Sequence, residues 1–261
     1  MTAHGMSAAE VAAWRARWGE GPHVAADVCI FALREGRLVV LLIQRGIPPY
    51  RDTWALPGGF VQRDEDLLAA ARRELAEETG LADLDDVQID QLATFGAPGR
   101  DPRGRVVSVV YTALVSYERV AKVKGGDDAA DARFFELDGH VPIREGRALP
   151  LAFDHAEVLA HAVERLRGRV TYTTAPFALM PETFTLAELQ AAYETVLGSE
   201  LHRRAFRERI EGEGWVVPTG ETRGGRHRPA RLFRARTRGL EWMRPWPEAK
   251  KVPGALSREG R

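Results

Sequence analysis

The sequence predicts a mixed-sheet α/β (α+β) domain followed by a smaller domain of helices and a hairpin. Three observations carry the prediction. Extended apolar segments recur between residues 24 and 137 with few helices among them. Past residue 170 the order becomes helix, short turn, helix, hairpin. The charge changes sign between the same regions: residues 171–261 hold 16 Lys and Arg against 11 Glu and no Asp, residues 1–170 hold 21 against 26, and the whole chain is formally neutral. Two halves of opposite sign suggest two jobs. The expected boundaries are an N-terminal helical extension over 1–23, the mixed-sheet domain over 24–168, the small domain over 169–239, and a tail over 240–261. Pro245, Pro247 and Pro253 among charges mark that tail as partly disordered.

Taken in order, residues 7–18 read as a short helix ahead of the first domain. Val24 to Leu33 and Arg37 to Gln44, joined at Glu35-Gly36, read as a hairpin whose second strand is buried, since Val39 to Ile43 is apolar throughout. Residues 65–79 are rich in Ala, Leu, Arg and Glu, and Leu67, Ala71 and Leu75 at i, i+4 and i+8 predict an amphipathic helix that Gly80 stops. Strands are expected at Val87 to Phe95, Arg105 to Ser116 and Ala132 to Leu137, and Asp154-x-x-Glu157 opens a helix to about Arg167.

In the second region Thr185-x-x-Glu188 is a capping box, Phe184 and Leu189 hold the staple positions, and Gly198 ends the helix. A second helix follows from Leu201 to Glu211, with Leu201, Ala205, Phe206 and Ile210 inward. Trp215 to Pro218 and Ala230 to Arg236 then form a hairpin with a long basic tip around Gly224-Gly225. That order is the order of a winged helix-turn-helix. Cys29 is the only cysteine, so no intramolecular disulfide forms; it reads as a small core residue in a reducing compartment. No apolar run approaches the roughly 20 residues of a membrane span. No apolar region follows Arg15 and Arg17 as in a secretory leader, so no membrane association and a cytoplasmic location are expected.

The chemistry concentrates at Gly59-Phe-Val-Gln-Arg-Asp-Glu65-Asp-Leu-Leu-Ala-Ala-Ala-Arg-Arg73-Glu74-Leu75-Ala-Glu77-Glu78-Thr-Gly80-Leu81. Glu74, Glu77 and Glu78 lie at i, i+3 and i+4, so their carboxylates leave one helical face and can meet at a hard cation such as Mg²⁺ or Mn²⁺. A bound cation would neutralise a diphosphate and help deprotonate an attacking water. Gly58 and Gly59 let the backbone approach phosphates. The alternative is a solvated surface helix carrying a Glu run. The segment resembles the Nudix box, G-x5-E-x7-R-E-U-x-E-E-x-G-U with U apolar, at every fixed position. That resemblance implies an α/β/α sandwich around the mixed sheet, Glu74, Glu77 and Glu78 as metal ligands, and Glu65 with Arg73 as a supporting ion pair, the five together forming the catalytic set. The general base lies outside the box in many such enzymes. Glu118 and the cluster Asp127, Asp128, Asp131 are candidates, with ordinary loop charge as the other reading. Arg45 and the loop Arg100, Asp101, Arg103 to Arg105 are expected to contact a nucleotide together with Gly58, Gly59 and Phe60, unless that loop is simply a solvated turn.

Residues 202–238 hold eleven Arg against four Glu. Arg suits phosphates and guanine edges. His202, Arg203, Arg204 and Arg207 on the second helix are placed for the major groove of double-stranded DNA, and Arg223, Arg226 and Arg228 at the wing tip for the backbone or minor groove. A basic but inert accessory domain is the competing reading. A Nudix box followed by a winged helix-turn-helix resembles the NrtR family, the Nudix-related transcriptional regulators of NAD metabolism. Trp54 to Phe60, Phe95-Gly96, Arg100 to Val107, Phe153-Asp-His155, Phe184 to Leu189 and Arg228 to Arg231 carry the resemblance beyond the box. It implies ADP-ribose or a related NAD product as effector, a homodimer on a DNA operator, and repression of NAD biosynthesis or salvage genes. An ADP-ribose pyrophosphatase that releases AMP and ribose 5-phosphate is the alternative of a different class, motivated by the unbroken box.

Overall fold

The computed structural model describes residues 6–19, 21–81, 87–121, 129–224, 229–237 and 239–246. The chain divides into two compact units, Met1–Arg165 and Leu166–Arg261.

In the first unit the order is α1 (Ala8–Trp18), β1 (His23–Arg34), β2 (Arg37–Arg45), β3 (Trp54–Ala55), β4 (Gly58–Phe60), α2 (Leu67–Thr79), β5 (Ile89–Phe95), β6 (Val106–Leu114), α3 (Tyr117–Val120), β7 (Ala129–Asp138), β8 (Val141–Arg144), β9 (Arg147–Ala148) and the start of α4 (His155–Val170). The strands form one mixed sheet in the order β5-β6-β1-β2-β7-β8-β9, with β3 added to β2 and β4 to β1. β1 runs parallel to β6 and antiparallel to β2 and β4. Glu35 at φ 53° and Gly36 at φ 76° are both left-handed, as a two-residue turn between twisted strands requires.

Alternation along the central strands explains their all-apolar sequences. Ala26, Val28, Ile30 and Ala32 of β1, with Val39, Leu41 and Ile43 of β2, pack into one core with Ala70, Ala71 and Leu75 of α2. Cys29, Phe31, Val40 and Leu42 point the other way and are equally buried, so both faces are covered. Burial pushes the Cys29 thiol up, away from reactivity. Sequence reasoning missed β3 and β4, which are two and three residues long, because a strand that short has no periodicity to read.

The second unit holds the end of α4, a 3₁₀ helix (Ala175–Leu179), α5 (Leu186–Leu197), α6 (Arg203–Gly212), β10 (Val216–Arg223) and β11 (Ala230–Ala235). Both halves of the capping box form: Glu188 N–H donates to Thr185 Oγ1 at 3.2 Å, and Thr185 N–H to a Glu188 oxygen at 2.7 Å. Phe184 and Leu189 are fully buried. Phe184 also exchanges backbone hydrogen bonds with Phe233, adding a one-residue third strand to the β10-β11 hairpin. This is a winged helix. An irregularity between Pro218 and Thr222 lets β10 continue past Pro218 to Arg223, so the wing tip is shorter than the sequence suggests. The start of the expected tail is packed: Met243 and Trp246 are buried, and their N–H groups donate to Tyr172 O and Thr171 O at 2.7 and 2.9 Å. No helix of the described residues is long and apolar enough to cross a membrane.

Candidate functional site

Helix α2 ends at Gly80, whose φ of 71° is left-handed and whose N–H closes on Ala76 O. Glu74 and Glu78 project from its face toward Gly58 and Gly59, and the backbone requires glycine at Gly58 while Gly59 leaves room for the Glu74 carboxylate. A Cβ on Gly59 would collide with the Glu74 carboxylate, and one on Gly58 with Asp27 and the Ala26 carbonyl. Gly58 N–H donates to Glu78 at 2.9 Å. Glu78 is only 7% exposed, and burial, with Glu74 and Asp27 nearby, pushes its carboxyl up to about 8. Burial raises Glu74 as well, against the pull of Arg73.

Arg73 organises the box. Its Nε and Nη2 hold Glu65 at 2.7 and 2.9 Å, Nη2 reaches Phe60 O at 3.2 Å, and Nη1 donates to Glu74 at 2.8 Å and to Glu77 at 2.9 Å. Among the described residues no three carboxylate, imidazole or thiolate groups stand together as a ready ion cage. The physical reason is that Arg73 Nη1 itself bridges Glu74 and the more exposed Glu77. The donor set nevertheless fits a hard divalent cation. It is all carboxylate oxygen, and two of its members are held by burial in a protonation-prone state that a cation would relieve.

These groups open onto a cavity of about 700 Å³. Arg45, Gly58, Gly59, Phe60, Arg100, Asp101 and Arg103, the residues expected to meet a nucleotide, all line it. Arg100 makes a two-pronged ion pair with Asp154 at 2.8 and 2.6 Å, and Arg103 pairs with Asp101 at 2.6 Å, so the loop is built rather than solvated. Arg45 is half-buried, donates to Pro49 O at 2.8 Å, and is pushed down to about 10 by desolvation and by Arg103. Among the wall residues that sequence reasoning did not assign to the cavity, four carry groups that shape it. Asp27 accepts from the buried Ser108 hydroxyl. His155 is buried, which lowers its pKa, and Leu56 N–H donates to its Nδ1 at 2.9 Å, so the neutral ring carries its proton on Nε2. Phe153, at a left-handed φ of 55°, lies against Arg45, Tyr50 and His155. Trp14 comes from α1, the expected extension. Of the candidate bases, exposed Glu118 on α3 and Asp131, which pairs with Arg133 at 2.5 Å, do not line the cavity, and Asp127 and Asp128 lie outside the described residues.

The basic region of the second unit sorts differently from its residue count. His202 caps α6, its Nδ1 accepting from Ala205 N–H at 3.4 Å. Arg204 pairs with Glu208, Arg223 with Glu188, Arg231 with Glu211, Arg234 with Glu182 and Arg236 with Glu241. Arg209, counted as part of the basic helix, is 8% exposed and lies under the Trp246 ring with its guanidinium carbon 4.0 Å from the centroid. Arg203 and Arg207, one turn apart on α6, are exposed with no protein partner among the described residues. Arg226 and Arg228 lie outside those residues.

Comparison with known proteins matches both units. The NUDIX domain family matches residues 21–162, and the NrtR DNA-binding winged helix domain family matches residues 176–235. The chain is 39% identical over 215 residues, 82% of each chain, to the ADPR responsive transcriptional repressor NtrR of Acinetobacter baylyi. Over 121 residues, 46% of this chain and 63% of the relative, it is 40% identical to an ADP-ribose pyrophosphatase of Methanocaldococcus jannaschii. Among solved structures it resembles Shewanella oneidensis NrtR complexed with a 27mer DNA, with TM-score 0.69 and 36% identity over 81% of this chain and 93% of that one. A MutT/nudix family protein from Enterococcus faecalis gives TM-score 0.67 and 28% identity over 88% and 94%. With an intact Nudix box opening onto a cavity in the first unit, a winged helix in the second, and an NrtR relative 39% identical over 82% of each chain, the chain belongs to the NrtR family of Nudix-related transcriptional regulators.

Proposed function

We propose that this protein is a cytoplasmic, homodimeric repressor of NAD biosynthesis or salvage genes that releases its DNA operator when ADP-ribose, or a related NAD-derived nucleotide, fills the Nudix cavity. The observation that carries this is the union in one chain of the box-lined cavity with a winged helix whose Arg203 and Arg207 are exposed and, among the described residues, without an ion-pair partner. A diphosphate fits between the Arg45, Arg100 and Arg103 side and the Glu74, Glu77 and Glu78 side, where Mg²⁺ or Mn²⁺ would neutralise it; Nudix hydrolases as a family use divalent ions. His202, Arg203, Arg204 and Arg207 would face the major groove, and Arg223, Arg226 and Arg228 the flanking backbone.

Control then amounts to a coupling free energy, typically about 1–3 kcal/mol, by which effector binding disfavours the dimer geometry that spans two half-sites roughly 34–36 Å apart. A gel shift on the DNA upstream of the protein's own coding region, with and without ADP-ribose, tests this. A specific shift relieved by ADP-ribose is expected, and no specific shift at moderate salt would reject the repressor.

A second reading, hydrolysis of the same ligand, is favoured by the completeness of the box, with Glu65, Arg73, Glu74, Glu77 and Glu78 all present and Arg73 bonded to three of the four carboxylates. Purified protein with Mg²⁺ or Mn²⁺ would then release AMP and ribose 5-phosphate from ADP-ribose, and Glu78→Gln would stop it. Turnover no faster than the buffer control would leave the cavity a sensor alone.

A further inference from the structure

Helix α1 precedes the residues matched to the NUDIX domain, yet Ala13 and Trp14 form part of the cavity wall. Trp14 is the ring that ties this helix to the domain. It meets His23 edge-on at 4.8 Å and Phe60 at 5.7 Å. Gly104 leaves the room it needs, since a Cβ there would stand 3.2 Å from the indole. The Arg103 guanidinium, anchored by Asp101, lies 4.8 Å from Phe60, 5.6 Å from Phe153 and 5.7 Å from Trp14. Trp14 Nε1 and His23 Nε2 are both shut off from solvent without a hydrogen-bond partner among the described residues.

The cavity therefore has two kinds of wall. One is carboxylate and glycine backbone, suited to a cation and a diphosphate. The other is aromatic rings around a planar cation, Trp14, Phe60 and Phe153 about Arg103, suited to a flat heterocycle. A nucleoside diphosphate has the same two parts. We propose that Trp14 is the base-binding residue of this cavity, stacking on the nucleotide's base while the diphosphate lies at Glu74 and Glu78. The assignment rests on the cavity being a nucleotide site, and it makes α1 a functional part of the effector domain. Loss of an aromatic platform beneath a base weakens binding roughly tenfold to a hundredfold.

Calorimetry on the full chain with Mn²⁺ tests the proposal, using ADP-ribose and inorganic pyrophosphate as probes with and without a base. Trp14→Ala should lower the ratio of ADP-ribose affinity to pyrophosphate affinity by about ten- to a hundredfold, and Trp14→Phe should restore most of it. An unchanged ratio, including one in which both affinities fall together, would overturn the assignment and leave Trp14 a structural residue. A wild-type protein that binds pyrophosphate but not ADP-ribose would remove the nucleotide site itself, and the proposal with it.

Discussion

Replacing Trp246 by Ala asks whether the segment beyond the winged-helix match, which ends at residue 235, belongs to that domain's core. Trp246 is 7% exposed. Its ring stacks on Phe206 of α6 at 5.5 Å with 7° between planes, meets Tyr193 at 5.7 Å, and covers the Arg209 guanidinium at 4.0 Å. A buried Trp→Ala change costs about 3–5 kcal/mol where the surroundings cannot collapse. Roughly 2 kcal/mol of that is the desolvated cation–π contact, since among the described residues the Arg209 nitrogens have no hydrogen-bond partner and its Nε lies 3.6 Å from Glu213. The Trp246 indole N–H likewise has no hydrogen-bond partner among the described residues, and Ala keeps the backbone N–H to Thr171 O. The expected loss is about 3–4 kcal/mol, confined to the second unit, with Trp246→Phe costing about half as much. Native-state hydrogen exchange of the α6 amides reads that loss without requiring the whole chain to unfold as one. Protection of α6 within about 1 kcal/mol of wild type would refute the packing account.

Three further outcomes follow from the two units. Glu78 has a folded pKa of about 8 against an ordinary 4.5, so its contribution to stability is complete below the lower value and is lost as pH rises through the higher one. Metal-free protein should lose melting temperature from pH 5 to 8.5, and Glu78→Gln should flatten that slope; parallel slopes for the two proteins would contradict the burial argument. Gly59→Ala should displace the Glu74 carboxylate and weaken Mn²⁺ binding at nearly unchanged stability, whereas Gly58→Ala, at φ 153° against backbone, should cost about 1–3 kcal/mol; equal effects in melting and Mn²⁺ titrations would show the two positions to be equivalent. Arg203→Ala and Arg207→Ala should each reduce the slope of log affinity for DNA against log salt by about 1, and Arg204→Ala, already paired with Glu208, by less; the reverse ranking in salt-titrated anisotropy would move the contact elsewhere.

What the sequence made legible was local. Glu74, Glu77 and Glu78 share a face because helical period puts them there, and Thr185 with Glu188 closes a capping box because both partners lie three residues apart. The Glu35-Gly36 turn and the seven expected cavity residues belong to the same class, set by short motifs. What stayed hidden depends on partners distant in sequence. Trp14 reaches the cavity only because α1 folds back on Phe60 and Arg103, and Phe153 only because a left-handed residue turns it toward Arg45. Charge shows the same limit. Eleven Arg can be counted in residues 202–238, but the count cannot tell that Arg209 is buried under Trp246 or that Arg204, Arg231 and Arg234 are already paired with glutamates.

The proposed reciprocal coupling between the cavity and the winged-helix domain is tested by one calorimetric measurement: the affinity for ADP-ribose of the free protein and of the protein saturated with its operator. Linkage requires that bound DNA weaken ADP-ribose by the same factor by which ADP-ribose weakens DNA, about 5- to 150-fold for a coupling of the usual size. Equal ADP-ribose affinity in the two states would contradict it.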